Sequence, residues 1–359
     1  MTALLFLTSS LIITTLPANA TPTAWTKIIS SGFGDPNNQQ MEFMAVLNDY
    51  IYVGTGNWAT GGEVWRSSDG KTFAKVADTG FGNPNNVEVF FFPGAILNGY
   101  LYAGTGNDAQ GGEVYRSSDG IHWTWIFDVP SWDDIDVFPT LVFENYLYVG
   151  SYNTHAGGRI WRSSNGINWT QINTDGFGDP NNFMAFPATV FNGYLYTGTR
   201  NEVTGGEVWR TENGLDWTQV NVDGFSNASN IWSFVGPVFE GSLYVGTANE
   251  VFGGTILVLS AVCGNWANAA GMSQGFGTIA NVKAMPAVVF NCCLYAGTYN
   301  TITGGEIWLL QQHVVGGIVA SVDKSVLLIP YMGISSAILL VTIVAAVCIK
   351  REKCRKEKP

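Results

Sequence analysis

The sequence predicts an all-β fold, a six-bladed β-propeller closed by an N-terminal strand and followed by one C-terminal transmembrane helix. Three observations predict it. One motif recurs six times at steps of 46 to 51 residues, each copy divides into four short strands, and residues 326–349 carry no charge. Composition agrees, because 43 Gly among 359 residues, 13% aromatic and only 13% charged residues exclude a disordered chain, a long coiled coil and a domain built on Ala, Glu and Lys helices.

The repeat begins with Tyr52-Val-Gly-Thr-Gly-Asn57 and continues through Gly61-Gly62-Glu63-Val64-Trp65-Arg66-Ser67-Ser68-Asp69-Gly70; Tyr102, Tyr148, Tyr196, Tyr244 and Tyr295 stand in the place of Tyr52 in the other copies. A period of this size marks a propeller or a solenoid. In the second copy, alternation and turn residues place strands at 93–97, 100–104, 112–117 and 123–127, with Asn98-Gly99 suited to a tight hairpin because both positions accept positive φ. Four antiparallel strands per unit is the size of a propeller blade. Gly-Phe-Gly-Asp/Asn-Pro-Asn-Asn, at 32–38, 80–86 and 176–182, joins blade to blade. The sixth copy stops at Gly304-Gly305-Glu306-Ile307-Trp308 without a fourth strand, and Ala24-Trp25-Thr26-Lys27-Ile28 matches the missing piece. An N-terminal strand that completes the last blade closes the ring and removes exposed sheet edges.

The two ends predict an address. Residues 1–20 are apolar and close in Ala18-Asn19-Ala20, the pattern of a cleaved secretory signal, though no Lys or Arg precedes the apolar core. Residues 326–349 are long enough to cross a bilayer, at about 1.5 Å per residue, and are followed at 350–359 by six Lys/Arg against two Glu. The positive-inside bias puts that tail in the cytoplasm. The expected order is signal peptide 1–20, ectodomain 21–312, linker 313–325, membrane span 326–349 and basic tail 350–359, a single-pass protein of the cell membrane with its N-terminal domain outside. The net charge of −11 then divides into +4 on the tail and −15 elsewhere, and an acidic body argues against nucleic acid as a partner.

The hairpins Ser67-Ser68-Asp69-Gly70, Ser117-Ser118-Asp119-Gly120, Ser163-Ser164-Asn165-Gly166 and Thr211-Glu212-Asn213-Gly214, each followed three residues on by Phe73, Trp123, Trp169 or Trp217, resemble the Asp-box hairpins of BNR-repeat propellers. Such propellers occur in sialidases and in many non-catalytic surface proteins. The resemblance covers four of the six blades and implies the fold; in that family the hairpin is structural. The C-terminal anchor with its basic tail is similar to those of archaeal cell-surface proteins.

Function is sought where the repeat is broken. Glu63/Trp65/Arg66, Glu113/Tyr115/Arg116 and Glu207/Trp209/Arg210 would suit sugar sites between blades, but residues present in every blade more often serve packing, and alternation sends Glu63 and Trp65 to one sheet face and Arg66 to the other. The six loop residues Asn57, Asn107, Asn153, Asn201, Asn249 and Asn300 are expected to bond their own loop backbone. In blade three Val129-Pro130-Ser131-Trp132-Asp133-Asp134-Ile135-Asp136 replaces the Gly-Phe-Gly loop, and Arg159 stands where other blades have Glu. Trp132, Asp133, Asp134, Asp136, His155, Arg159, Arg200 and Glu202 are therefore the predicted ligand-binding cluster at the central mouth, with Asp133, Asp134 and Asp136 as candidate Ca²⁺ ligands. The rival explanation of the same letters is a solvated acidic loop.

The favoured function is non-catalytic recognition of an extracellular glycan or protein. The alternatives are a sialidase-like or other glycan-cleaving hydrolase and a structural component of the cell envelope. The resemblance implies that a sialidase needs three Arg on a carboxylate, a Tyr/Glu pair and an Asp acid, and four of the six body Arg keep the repeat register. Gly-x-Ser-x-Gly, His-Glu-x-x-His and Cys-x-x-Cys are absent, and His122, His155 and His313 are too scattered for zinc. No cofactor other than Ca²⁺ is expected. Cys263 is expected near Cys292 and Cys293, with a bridge to either one open, and Asn168 and Asn227 head glycosylation sequons.

Overall fold

The computed structural model describes residues 24–92, 95–128, 134–165, 168–260 and 265–311. The expected signal peptide, linker, membrane span and tail lie outside these residues, as do His313, Trp132, Asp133 and Cys263. Among the described residues no helix is long and apolar enough to cross a membrane.

The chain folds into six four-stranded antiparallel sheets arranged in a closed ring, the architecture of a β-propeller. Blade one holds Gln40–Leu47, Tyr50–Gly56, Val64–Ser67 and Ala74–Ala77, paired in that order. The other inner strands begin at Glu88, Asp136, Met184, Trp232 and Lys283. Each second strand also pairs at its end with the next blade's inner strand, as Gly56 with Glu88, Tyr152 with Met184 and finally Tyr299 with Gln40, so the ring has no open seam. The last blade is completed by Thr26–Ile29, which runs antiparallel to Ile307–Gln311 with Thr26 opposite Leu309 and Lys27 opposite Trp308. Lys27 Nζ adds an ion pair to Glu306 at 2.6 Å. In blade two the inner strand is interrupted, Glu88–Phe90 and then Ile96–Leu97, and the Asn98-Gly99 hairpin has φ of 53° and 78°.

The repeated residues serve packing. The Gly two places after each motif Tyr lets neighbouring blades touch: a Cβ on Gly198 would lie 1.6 Å from the Ser233 carbonyl oxygen, and one on Gly54 2.0 Å from that of Val89. Tyr52 crosses to the next blade, where its hydroxyl donates to the Asp119 carbonyl at 3.2 Å. Asp69 Oδ1 accepts from the Lys71 and Thr72 amides and from Ser67 Oγ, and these bonds hold its carboxyl well below the usual carboxylate range. The Phe of each Gly-Phe-Gly turn sits at positive φ, 53° to 62°, which is costly for a bulky side chain. Stacking compensates: Phe33 lies 4.3 Å from Trp65, Phe177 4.8 Å from Trp209 and Phe276 4.5 Å from Trp308, all near parallel.

The axis of the ring is plugged. Two residues into each inner strand, or three in blade one where a bulge intervenes, stand Phe43, Phe90, Phe138, Phe186, Phe234 and Met285, all buried in one cluster. Consecutive rings touch, Phe43 to Phe90 and Phe90 to Phe138 at 4.7 Å each. Above this plug the channel opens into a cavity.

Candidate functional site

The first residue of each inner strand faces the axis, so Gln40, Glu88, Asp136, Met184, Trp232 and Lys283 form a ring at one mouth of the channel. With Trp58, Asp108, Tyr152, Arg200, Glu250 and Tyr299 they enclose a cavity of about 270 Å³, whose floor is Phe43, Phe90 and Phe138. That volume falls just below the usual range of ligand pockets, about 300–1,000 Å³.

The walls differ in chemistry. On one side Glu88 and Asp136 meet over Gly106: Glu88 Oε2 and Asp136 Oδ1 lie 2.6 and 2.7 Å from the point a Cβ there would occupy, so these oxygens are at most 5.3 Å apart. Only glycine leaves room for both carboxylates. Burial, then the charges of Glu88 and Asp108, raise the Asp136 pKa well above the usual aspartate value, against the opposing pull of Lys283 and Arg200. On the other side the cations lie on aromatic faces. Trp232 has the Arg200 guanidinium 5.0 Å and Lys283 Nζ 4.3 Å from its ring, and Tyr152 and Tyr299 supply a second ring to each. Arg200 also pairs with Glu202.

The predicted cluster therefore divides. Asp136 and Arg200 line the cavity and Glu202 reaches it through Arg200. His155 is exposed on its loop and is not among the lining residues. Asp134 and Arg159 face each other inside the wall as a substituted copy of a repeated lock. In blade one the lock is Asn38, fully buried, donating to Glu63 Oε2 at 2.8 Å and accepting from Asn57 Nδ2 at 3.0 Å. Asn86–Glu113, Asn182–Glu207 and Asn281–Glu306 repeat it. In blade three Asp134 Oδ1 accepts from Ser151 Oγ and Asn153 Nδ2 at 2.9 and 3.1 Å, and Arg159 Nη1 lies 3.6 Å from its other oxygen. Donor and acceptor have exchanged places. Arg159 also bonds Asp175 at 3.2 Å. Burial raises the Asp134 pKa. Among the described residues no group of three His, Cys, Asp or Glu is placed to hold a metal ion.

The remaining motif residues are structural. Each loop Asn accepts from the amides two and three residues ahead, as Asn57 does from Ala59 and Thr60 at 3.0 Å. Arg66, Arg116, Arg162 and Arg210 lie 4.3 to 4.5 Å over Tyr50, Tyr100, Tyr146 and Tyr194. With Arg159 in the lock, Arg200 is the one arginine lining the cavity among the described residues. Cys292 is exposed and Cys293 half-buried. Glu88, Gln40, Trp58, Trp232 and Lys283 escaped sequence reasoning. Their signal was available: the residue two places after the lock position reads Gln, Glu, Asp, Met, Trp and Lys in six otherwise similar copies.

No family model matches the chain, and no curated protein matches it. Its fold is similar to that of several solved structures. A protein of unknown function from Dyadobacter fermentans superposes with a TM-score of 0.55 at 10% identity, covering 81% of this chain and 99% of that one. The Hadza microbial sialidase Hz136 gives 0.54 at 12% identity, over 77% of this chain and 67% of the other. Trypanosoma rangeli sialidase in complex with the inhibitor DANA gives 0.51 at 12%, over 77% and 55%. The chain thus spans 55% to 67% of the two sialidases' lengths, and what it shares with them at this identity is the β-propeller fold.

Proposed function

We propose that the mouth of the ring is a glycan site that cleaves a glycosidic bond, with Asp136 as the acid and Glu88 as its carboxylate partner. The observation that carries this reading is the Glu88–Asp136 pair: two carboxyl oxygens at most 5.3 Å apart, one carboxyl held toward its protonated form, in a cavity walled by aromatic rings. Hydrolysis of a glycoside needs one protonated and one ionised carboxyl within reach of the bond. Glu88 is the candidate nucleophile, Asp136 protonates the departing oxygen, and Trp58, exposed at the rim, offers a face on which a sugar ring stacks. The solved sialidases of similar fold lend support from outside the site. Their acidic sugar is not carried over, because Arg200 is the one Arg lining the cavity among the described residues. In this reading the propeller is displayed at the cell surface on the span at 326–349, as the sequence suggests.

A second reading, recognition without turnover, is favoured by the 6% exposure of Asp136, which leaves little room for a leaving group to reach it. One experiment separates the two. The full-length chain and its Asp136→Asn and Glu88→Gln variants are assayed on methylumbelliferyl glycosides of glucose, galactose, mannose, xylose and N-acetylglucosamine, and in parallel on a glycan array. Turnover lost in both variants supports hydrolysis; array binding without turnover in the unaltered chain supports recognition alone.

A further inference from the structure

The face that carries the mouth is apolar on one side. In every blade the loop after the second strand turns on its Asn, which accepts from the amide two residues on, so that this residue stands at an equivalent point around the ring. Val203, Val251 and Ile302 donate in this way to Asn201, Asn249 and Asn300 at 2.9 to 3.0 Å. The turn does not require a branched apolar residue, because Ala59, Ala109 and His155 fill the same place in blades one to three. Yet Val203, Val251 and Ile302 are 64%, 57% and 74% exposed, while Phe252, next to Val251, and Ile279, on the turn into blade six, are 50% and 66% exposed. With Trp58 they make six of the eleven exposed large hydrophobic side chains among the described residues, and all six belong to the mouth-side loops of blades four, five, six and one. Apolar side chains gathered in this way mark a surface that a ligand or partner covers.

Continuity with the cavity says what covers it. Glu250 lines the cavity and immediately precedes Val251, and Trp58 both lines the cavity and belongs to the apolar side. The cavity is blind, because the Phe cluster closes the axis beneath it, and its 270 Å³ admits about one sugar ring, so whatever is joined to a bound sugar leaves by the mouth and lies across this face. Neither terminal segment starts beside the patch. Gln311 pairs with Cys293, at the far end of the strand whose other end, Tyr299, lines the cavity, and Thr26 starts the N-terminal strand opposite Leu309, toward that same far side. Charge excludes an anionic membrane surface, since Asp108, Glu202 and Glu250 follow three of the six loop Asn at the rim. We propose that the apolar side binds the hydrocarbon aglycone of a glycoside whose sugar occupies the cavity. The inference rests on the glycan reading and names the class of substrate: a sugar joined to an apolar group, in place of a chain of further sugars.

The test compares the methyl and octyl glycosides of glucose, galactose, mannose, xylose and N-acetylglucosamine, in both anomers and below the micelle-forming concentration, on the full-length chain. For the sugar that is cleaved, kcat/KM should be about tenfold higher for the octyl glycoside, the return expected from burying about two methylene groups. In a Val251→Ser, Phe252→Ser, Ile302→Ser variant that ratio should fall to about one. An Ile121→Ser, Leu215→Ser variant, altered at exposed apolar residues of the Ser-Ser-Asp-Gly and Thr-Glu-Asn-Gly hairpins, should keep it. Methyl and octyl glycosides cleaved alike by the unaltered chain would overturn this inference and leave the hydrolase reading intact. A tenfold ratio kept by the triple variant would also overturn it, because the preference would then arise elsewhere. If no glycoside is cleaved the hydrolase reading falls, and calorimetric titration with the same ten pairs decides the inference by itself: tighter binding of an octyl glycoside that the triple variant loses supports it, and equal binding or none overturns it.

Discussion

If blade three carries a donor-exchanged copy of the Asn–Glu lock, exchanging both partners back should be tolerated and exchanging one should not. The pair to perturb is Asp134 and Arg159. Asp134→Asn keeps an oxygen for Ser151 Oγ and Asn153 Nδ2 but turns an amide donor toward the Arg159 guanidinium, 3.6 Å away. Breaking a buried pair by removing one charge costs about 3–5 kcal/mol. Here Arg159 keeps Asp175 at 3.2 Å and its side chain is 15% exposed, so a loss of about 2 kcal/mol is expected. Arg159→Glu alone sets a carboxylate against buried Asp134 and should lose more. That second loss should shrink on acidification, because the Asp134 carboxyl already binds its proton more tightly than an ordinary aspartate. In the double variant the new amide at position 134 would donate to the new carboxylate at position 159, as Asn182 donates to Glu207 at 2.8 Å. The same carboxylate would give an acceptor to the Trp161 indole nitrogen, which is buried without one, as Glu63 does for Trp65 and Glu207 for Trp209. A hydrogen bond to a charged group contributes about 1.5–3 kcal/mol, so the double variant should unfold within about 1 kcal/mol of the unaltered chain. Urea unfolding of the four proteins, followed by tryptophan fluorescence, gives a coupling energy expected at about 3 kcal/mol or more. Losses that simply add would refute the claim that Asp134 and Arg159 are a version of the lock.

Three further outcomes follow from the same structure. Gly198→Ala places a Cβ 1.6 Å from the Ser233 carbonyl oxygen and should cost about 3 kcal/mol by forcing two blades apart. Gly99→Ala meets no atom within 4 Å and bears only the strain of φ +78°, about 1 kcal/mol; equal melting temperatures for the two variants would contradict the close-approach role given to the motif glycine. Asp136→Asn should melt higher than the unaltered chain at pH 7. Folding raises the Asp136 pKa, so the folded state binds the proton more tightly than the unfolded one, and stability falls as pH rises from about 4 through the folded value. The advantage of the amide should vanish below that window, and an advantage independent of pH would argue against a raised pKa.

Much of the ring is legible in the sequence because a propeller repeats its requirements. The strand count, the N-terminal strand in blade six, the self-bonding loop Asn and the Arg in register all follow from local rules that act alike in each copy. The site is less legible for a physical reason. A broken loop is conspicuous in a sequence, so Asp134 and Arg159 stand out, yet their exchange preserves complementarity inside the wall and is silent toward a ligand. Asp136 and Arg200 are legible because they neighbour that break. Glu88 and Gln40 sit in blades whose motifs are intact, and nothing local distinguishes a varied residue at the axis from a varied residue on the surface until the ring is closed.

Position along one strand carries that distinction. At the first residue of the inner strands the six copies read Gln40, Glu88, Asp136, Met184, Trp232 and Lys283, and slightly deeper they read five Phe and one Met. The deeper ring must fill the axis with rings that touch at 4.7 Å, and a smaller or polar residue there would leave a hole or an unpaired group. The upper ring borders open volume, where packing imposes no common size. Six residues of six chemistries on one register therefore measure freedom from packing, and the pairing of unlike charges on opposite walls says how that freedom is used. A symmetric ring can bind an asymmetric sugar only if its symmetry is broken at the axis, and the six upper side chains break it there while the ring of Phe and Met below them keeps its packing.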